Sequence, residues 1–148
     1  MARTSKKKQK KAPQEYETYC IQIADWEAPY SLSLESGRLG PGPYWEYASI
    51  RIKGIVIHPQ KIAGKELDLT FLGRREIAAA LSKASHTVRG TQQYGFLSLP
   101  FDAFPLITGL LAAGRYKYVI LHGKALYYGS ADIRSINFEP NFNEDEWV

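Results

Sequence analysis

Hydrophobic and polar residues alternate over much of the chain between residues 15 and 139, and this alternation is typical of half-buried β-strands. In the first such segment, 16–23, Tyr19, Ile21 and Ile23 share one face, which we predict enters the core. A turn at 122–124 is predicted to join the last two strands as a hairpin. The other alternating segments predict strands at 30–34, 44–58, 65–72, 94–99, 115–121 and 125–136.

The strand predicted at 44–58 contains a change of phase. Ile50 and Ile52 occupy even positions and Ile55 an odd one, with Gly54 between them. Because a glycine at such a point re-aims side chains and bends the strand, we predict a β-bulge at Gly54. Bending of this kind is typical of sheets that curl into barrels or sandwiches.

Two segments have helical spacing instead. In 74–85, apolar residues recur at i, i+3, i+4 and i+7. A second helix is predicted after Asp102, which can cap its first amides, with Pro105 in the first turn and Gly114 at its end. Its apolar stripe is Phe104, Ile107, Leu110 and Leu111. The sequence therefore predicts an α+β fold: a mainly antiparallel sheet of six to seven strands, partly curled as a barrel or sandwich, with two short amphipathic helices.

Composition fits one globular domain with two biased ends. The chain has 148 residues, of which 45% are hydrophobic, and its single cysteine excludes a disulfide framework. We predict a disordered basic arm at 1–14, a single α+β domain at 15–139 and an acidic, aromatic tail at 140–148. The lysine-rich start lacks the apolar segment of a secretory signal, and no apolar run is long enough to span a membrane. We therefore expect a cytoplasmic protein without membrane contact.

Formal charge changes sign along the chain, from +6 over 1–12 to −5 over 13–48, +7 over 49–134 and −4 over 135–148. The arm suits attraction to an anionic surface such as nucleic acid, but a solubility tail has the same composition. If nucleic acid is the partner, we expect the arm to act with a basic face on the body. The residues of that prediction are Lys6, Lys7, Lys8, Lys10, Lys11, Arg51, Lys53, Arg74 and Arg75.

The groups that could carry catalysis form no recognisable motif. His58, His86 and His122 have neither metal-ligand spacing nor a nearby cysteine, and His58 and His122 are interpreted as turn residues. Cys20 lies in a predicted strand and is interpreted as a structural thiol. The glycine-rich loop 36–43 does not match a phosphate-binding motif. We therefore expect no catalytic residue, cofactor or metal.

Aromatic residues make up 13% of the chain, and one group of them directly follows the glycine-proline loop. Tyr44 and Trp45 are predicted to face outward there and form, with Tyr47, the candidate partner-binding group, because tyrosine and tryptophan are enriched in protein interfaces; packing of these aromatics in the core is the alternative. The sequence therefore favours a non-catalytic binding or adaptor module that docks a protein partner at this loop, with the basic arm drawn to an anionic surface. A nucleic-acid-binding protein is the alternative, and a small hydrolase or transferase with a site built from distant residues is the third. Neither the partner nor the oligomeric state is indicated.

Overall fold

The computed structural model of the chain describes residues 16–34, 45–75, 87–89, 94–124 and 130–147. Within these ranges strands are the main elements, and one helix follows the sixth strand and another follows the eighth. The elements are β1 (Tyr16–Glu27), β2 (Tyr30–Ser33), β3 (Trp45–His58), β4 (Glu66–Arg74), β5 (Thr87–Arg89), β6 (Tyr94–Pro100), α1 (Phe104–Ala112), β7 (Tyr118–Lys124), β8 (Ser130–Glu139) and α2 (Glu144–Trp147).

Seven of the described strands form a strongly curled mixed sheet, in the order β1, β7, β8, β5, β6, β4, β3. Strand β1 belongs to both ends of this order, because residues 16–22 pair with β7 while residues 20–27 pair with β3. Strands β4 and β6 run parallel, and the other described pairings are antiparallel. The predicted α+β class, with a mainly antiparallel curled sheet, is confirmed.

The concave side of the curled sheet holds the core. Tyr19 and Ile21 of β1 are buried there, as their alternation predicted, although β1 continues past the predicted end to Glu27. Ile107 and Leu111 of α1 pack against the same cluster, while Leu106 of that helix is exposed. The remaining core members are Ile50, Ile52, Val56, Leu67, Leu69, Phe71, Leu97, Leu99, Val119, Leu121 and Ile133.

Helix α1 confirms the second predicted helix but not its cap. A short 3-10 turn, Phe101–Ala103, leads into the helix, and Asp102 lies inside that turn instead of capping it. Gly114 ends the helix with φ +73°, the left-handed conformation that glycine adopts without strain. The helix predicted at 74–85 starts differently, because Arg74 is the last residue of β4, and residues 76–86 lie outside the described residues.

The predicted bulge at Gly54 is wrong. Val56 stays on the core side with Ile50 and Ile52, so β3 keeps its phase through Gly54, and Ile55 points outward. Apolar residues on both faces at this point produced the apparent change of phase in the sequence.

Gly54 is instead required by a close approach of β1. The pairing runs Ile23 to Gly54 and then Asp25 to Lys53, which places the extra residue on β1. A Cβ at Gly54 would lie 2.6 Å from the Gln22 carbonyl oxygen and would overlap the Ile21 side chain. The extra residue beside Gly54 is therefore on the neighbouring strand, and a second register shift of the same pair places an extra residue, Ile57, on β3.

The predicted hairpin turn at 122–124 is also displaced. His122, Gly123 and Lys124 lie within β7, where each pairs with β1, and the connection to β8 falls in 125–129, outside the described residues. The pairing of β7 with β8 shifts register between His122 and Gly123. A side chain at Gly123 would overlap the backbone of β8 at Asp132, so this glycine permits the shift.

Among the described residues, no helix has the length and apolar character that crossing a membrane requires.

Candidate functional site

Strand β2 continues β1 along the same neighbour, β3. Glu27 of β1 pairs with Arg51, and Tyr30 of β2 pairs with Ala48, so one register extends across the break at Pro29. The Ser49 amide donates to the Pro29 carbonyl oxygen at 3.2 Å and keeps the two strands together there. Strand β2 and residues 45–48 of β3 form a two-stranded extension of the sheet, which we call the β2–β3 ribbon.

The ribbon exposes a side that is buried elsewhere in the sheet. Tyr30 and Leu32 alternate on the same side as Ala48, which faces the core, yet they are 58% and 48% exposed. Leu34, immediately after β2, is 78% exposed. No described element covers this side of the ribbon, and adjoining exposed apolar residues of this kind mark interaction sites.

Charges on the core-facing side of the ribbon are already neutralised. Glu46 accepts a hydrogen bond from the Tyr30 hydroxyl at 2.9 Å and pairs with the Arg75 guanidinium at 2.7 Å. The same guanidinium lies 5.5 Å from the centre of the Phe101 ring, a cation–π distance. Among the described residues, the exposed apolar side chains are therefore bordered by charges that are already paired with one another.

On the opposite side of the sheet, next to the ribbon, Arg51 of β3 pairs with Glu27 of β1 at 2.9 Å. Two side-chain hydrogen bonds, of which the one to Glu27 contributes more than the one to Tyr47, raise the pKa of Arg51. Tyr47 is half-buried and pairs with Ser31, so it lies on this opposite side. Of the residues predicted to bind a partner, Tyr47 therefore faces away from the exposed apolar side.

Of the other two predicted partner-binding residues, only the backbone position of Trp45 is described. Tyr44 lies outside the described residues, and Trp45 is described only as the first residue of β3, paired with Ser33. Tyr30, Leu32 and Leu34 are the residues that sequence reasoning did not assign to a site. Their alternation in the sequence was the available signal, but it predicts a strand without saying which side is covered.

The residues predicted to bind nucleic acid are divided between the two sides of the sheet. Arg51 pairs with Glu27 on the outer side, and Arg75 pairs with Glu46 on the core-facing side. Lys53 is exposed, with Asp25 and Asp68 as its direct cross-strand neighbours. Arg74 donates to Ser98 at 3.5 Å. Lys6, Lys7, Lys8, Lys10 and Lys11 lie outside the described residues.

A second feature is the segment 140–147, which we call the C-terminal strap. The Phe142 ring lies 6.0 Å from the His58 ring and 6.3 Å from the Tyr118 ring, centre to centre. His58 Nδ1 is 3.2 Å from a Glu144 carboxylate oxygen, and its Nε2 is 4.0 Å from Glu17. His58 is the last residue of β3 and connects the strap to the sheet through these contacts.

Beneath the strap, the outer side of the sheet is buried. Cys20 and Ile120 are directly paired on β1 and β7 and are both fully buried, although they point away from the core side. His58 is the neighbour of Cys20 on β3, and Tyr118 is two residues from Ile120. Since its ring lies near those of His58 on β3 and Tyr118 on β7, we expect Phe142 to lie over the intervening strand β1, close to Cys20.

The histidines and the cysteine of this region lie within strands or at a strand end. His58 lies at the end of β3, and His122 lies inside β7 with its Nδ1 3.0 Å from the Thr18 hydroxyl, so the interpretation of His122 as a turn residue is wrong. Burial raises the pKa of the Cys20 thiol to about 12, which is the opposite of what a nucleophile needs. His86 lies outside the described residues. Across the described ranges, no cluster of three His, Cys, Asp or Glu side chains could hold a metal ion.

The raised pKa of Cys20 predicts a loss of stability in alkali. The unfolded thiol ionises from about pH 9, whereas the folded thiol stays protonated up to about pH 12. The unfolded state therefore binds fewer protons in this window, and the free energy of unfolding falls as pH rises, by about 1.4 kcal/mol per pH unit from this group.

Replacing Cys20 with alanine should remove this contribution. Urea unfolding of the natural chain and of Cys20→Ala at pH 8, 9.5 and 10.5 measures it, because all other titrating groups are common to both. Parallel decreases in the two proteins over this range would contradict the prediction.

Comparisons of the chain with protein-family models, with curated proteins and with solved structures found no match.

Proposed function

We propose that this chain is a non-catalytic binding module that docks a protein partner on the apolar side of the β2–β3 ribbon. The observation that carries the proposal is the exposure of Tyr30 and Leu32 on the ribbon and of Leu34 directly after it. On the other described strands, apolar side chains on this side of the sheet are buried in the core or pack against it. This position adjoins the loop at which the sequence favoured docking. The aromatic anchor is Tyr30 in place of Tyr47.

Burial of this surface by a partner would be favourable. Covering one exposed leucine contributes about 1.5 to 3 kcal/mol, and the ribbon offers Tyr30 and Leu32, with Leu34 directly after it. The neighbouring charges Glu46 and Arg75 are paired with one another, so a partner would not have to desolvate an isolated charge. These two properties together are typical of the core of a protein interface.

The basic arm supplies attraction at longer range. Six of the first twelve residues are basic and none is acidic, which favours encounter with an anionic surface in a salt-dependent manner. In this proposal the ribbon provides the specific contact and the arm raises the rate of encounter.

Site-specific photo-crosslinking in the native cell tests the proposal. A photoreactive amino acid at Leu32 should give discrete crosslinked protein species, since this side chain would be inside the interface. The matched control is Leu106, an exposed leucine on α1 that is 62% accessible. We expect crosslinking from position 32 to exceed that from position 106 by about tenfold and to be lost when Leu34→Asp is added, because a buried unpaired carboxylate is costly.

Equal crosslinking from positions 32 and 106, or protein species that persist with Leu34→Asp, would contradict docking at the ribbon. Crosslinks to nucleic acid that nuclease removes would favour the alternative function instead.

A further inference from the structure

The hydrogen-bond pattern of the β2–β3 ribbon fixes which backbone groups of β2 point outward. In an antiparallel pair, directly opposed residues alternate between bonded and non-bonded positions. The Ser49 amide bonds the Pro29 carbonyl, so position 29 opposite 49 is bonded. Leu32 opposite Glu46 is therefore a non-bonded position, and the N–H and C=O of Leu32 point away from β3.

Apart from its short length of four residues, strand β2 has none of the usual edge protection within the strand. Natural sheets protect edges with lysine, proline, bulges or a covering element. Strand β2, from Tyr30 to Ser33, contains no charged residue and no proline, and its pairing with β3 runs without a register shift. Among the described strands, β3 is the only one that pairs with β2.

We infer that the partner docks by adding an extended segment alongside β2 as a further strand, an inference that rests on the proposed function. An added strand bonds the outward N–H and C=O of Leu32, and its side chains alternate across the two sides of the ribbon. On one side they meet Tyr30 and Leu32, and on the other they meet Ser31 and Ser33. The segment that fits has apolar residues at every second position, polar residues between them, and no requirement for charge.

The test uses selection of random twelve-residue peptides, displayed on phage, on the full-length chain. We expect the enriched peptides to alternate apolar and polar residues and to lack proline in the alternating part. Their dissociation constants are then measured on the natural chain, on Leu32→Ala and on Leu32→Pro. Both variants lose the leucine side chain, but only the second loses the outward N–H.

Strand addition predicts a marked difference between the two variants. Leu32→Ala should weaken binding by about tenfold, through lost apolar contact. Leu32→Pro should weaken it by at least another tenfold, because the ladder bond to the peptide cannot form. The proline costs no bond within the protein, since the Leu32 amide does not point to β3.

Amide hydrogen exchange on the natural chain provides a second measurement that does not depend on a variant. Exchange at Leu32 should slow at least tenfold when the selected peptide is bound. Exchange at Ser31, whose amide points to β3, should not change.

Three outcomes would overturn the inference. If Leu32→Pro and Leu32→Ala bind equally and exchange at Leu32 is unchanged, the partner docks on side chains alone; the proposed function then survives on the crosslinks from position 32. If sedimentation of the chain alone shows a dimer that Leu32→Pro dissociates, the occupant of the edge is a second copy. If neither peptides nor crosslinks at position 32 are obtained, the proposed function fails as well.

Discussion

Gly123→Ala is expected to lower the free energy of unfolding by about 3 kcal/mol, at the upper end of what overpacking a single position costs. A Cβ at this position would overlap the Asp132 carbonyl oxygen and lie 2.8 Å from the Ile133 Cα. Both obstacles are backbone atoms of β8, so a change of side-chain rotamer cannot relieve the overlap. Relief would require β8 to separate from β7 where Ile133 enters the core.

The measurement is urea unfolding of the full chain, followed by circular dichroism, with Gly109→Ala as the control. Gly109 lies within α1, and no atom lies within 4 Å of where its Cβ would be. Alanine is favoured over glycine in a helix by about 1 kcal/mol, so this variant should be more stable than the natural chain. The same substitution thus has opposite expected signs at the two sites. Equal effects at both positions would show that the approach of β8 to Gly123 does not limit the fold.

Phe142→Ala should expose Cys20 to thiol reagents and speed its modification by at least about tenfold at pH 8. The thiol is fully buried, and its pKa is raised from 9.0 to about 12, which reduces the thiolate by about a thousandfold below pH 9. The Phe142 ring lies near those of His58 and Tyr118, on the two strands that flank β1 here, so we expect it to cover this side chain. Without that ring, water reaches the outer side of the sheet, and the pKa of the thiol falls toward its ordinary value.

The single cysteine of the chain makes this measurement direct, because every modified thiol is Cys20. The rate is followed with a chromogenic disulfide reagent. Leu106→Ala is the matched control, since Leu106 is exposed on α1 and should leave the rate unchanged. Urea unfolding of both variants separates local opening from global destabilisation. An unchanged rate in Phe142→Ala would show that another element covers Cys20.

The close packing at Gly54 and Gly123 shows where the alternation pattern stops being informative. Alternation in 16–23 correctly predicted Tyr19 and Ile21 on the buried face. Successive side chains of a strand point to opposite faces, so residues 19 and 21 must share one face. At Gly54 the same reasoning failed, because Ile50, Ile52 and Val56 are buried while Ile55 is exposed. The cause is that hydrophobic residues also occur on the outer face of β3. When both faces of a strand carry apolar residues, the pattern alone cannot show which face is buried.

The candidate site was harder to predict than the fold. The sequence directed attention to Tyr44, Trp45 and Tyr47 because aromatic residues follow a glycine-proline loop. The structure places Tyr47 on the side of the ribbon that carries the Arg51–Glu27 pair. The exposed residues Tyr30 and Leu32 come from an alternating segment that, as a sequence, is indistinguishable from a core strand.

The same limit applies to charge. Summation along the chain gave a +7 middle segment, and from it a basic face that included Arg51 and Arg75. In the fold, each of these two guanidiniums is paired with a carboxylate from a different segment, Glu27 and Glu46. Ion pairing depends on distance in space, so a count along the sequence could not reveal it.

By itself, the sequence determined the class of fold, the inward face of β1 and the course of α1 from Phe104 to Gly114, because periodicity and glycine chemistry are local properties. Only the tertiary structure decided that β2 prolongs β1 along β3, that the Phe142 ring lies near the rings of His58 and Tyr118, and that Gly54 and Gly123 are required by neighbouring strands. These features depend on contacts between residues far apart in the chain, and such contacts are set by how the sheet closes and not by any one segment.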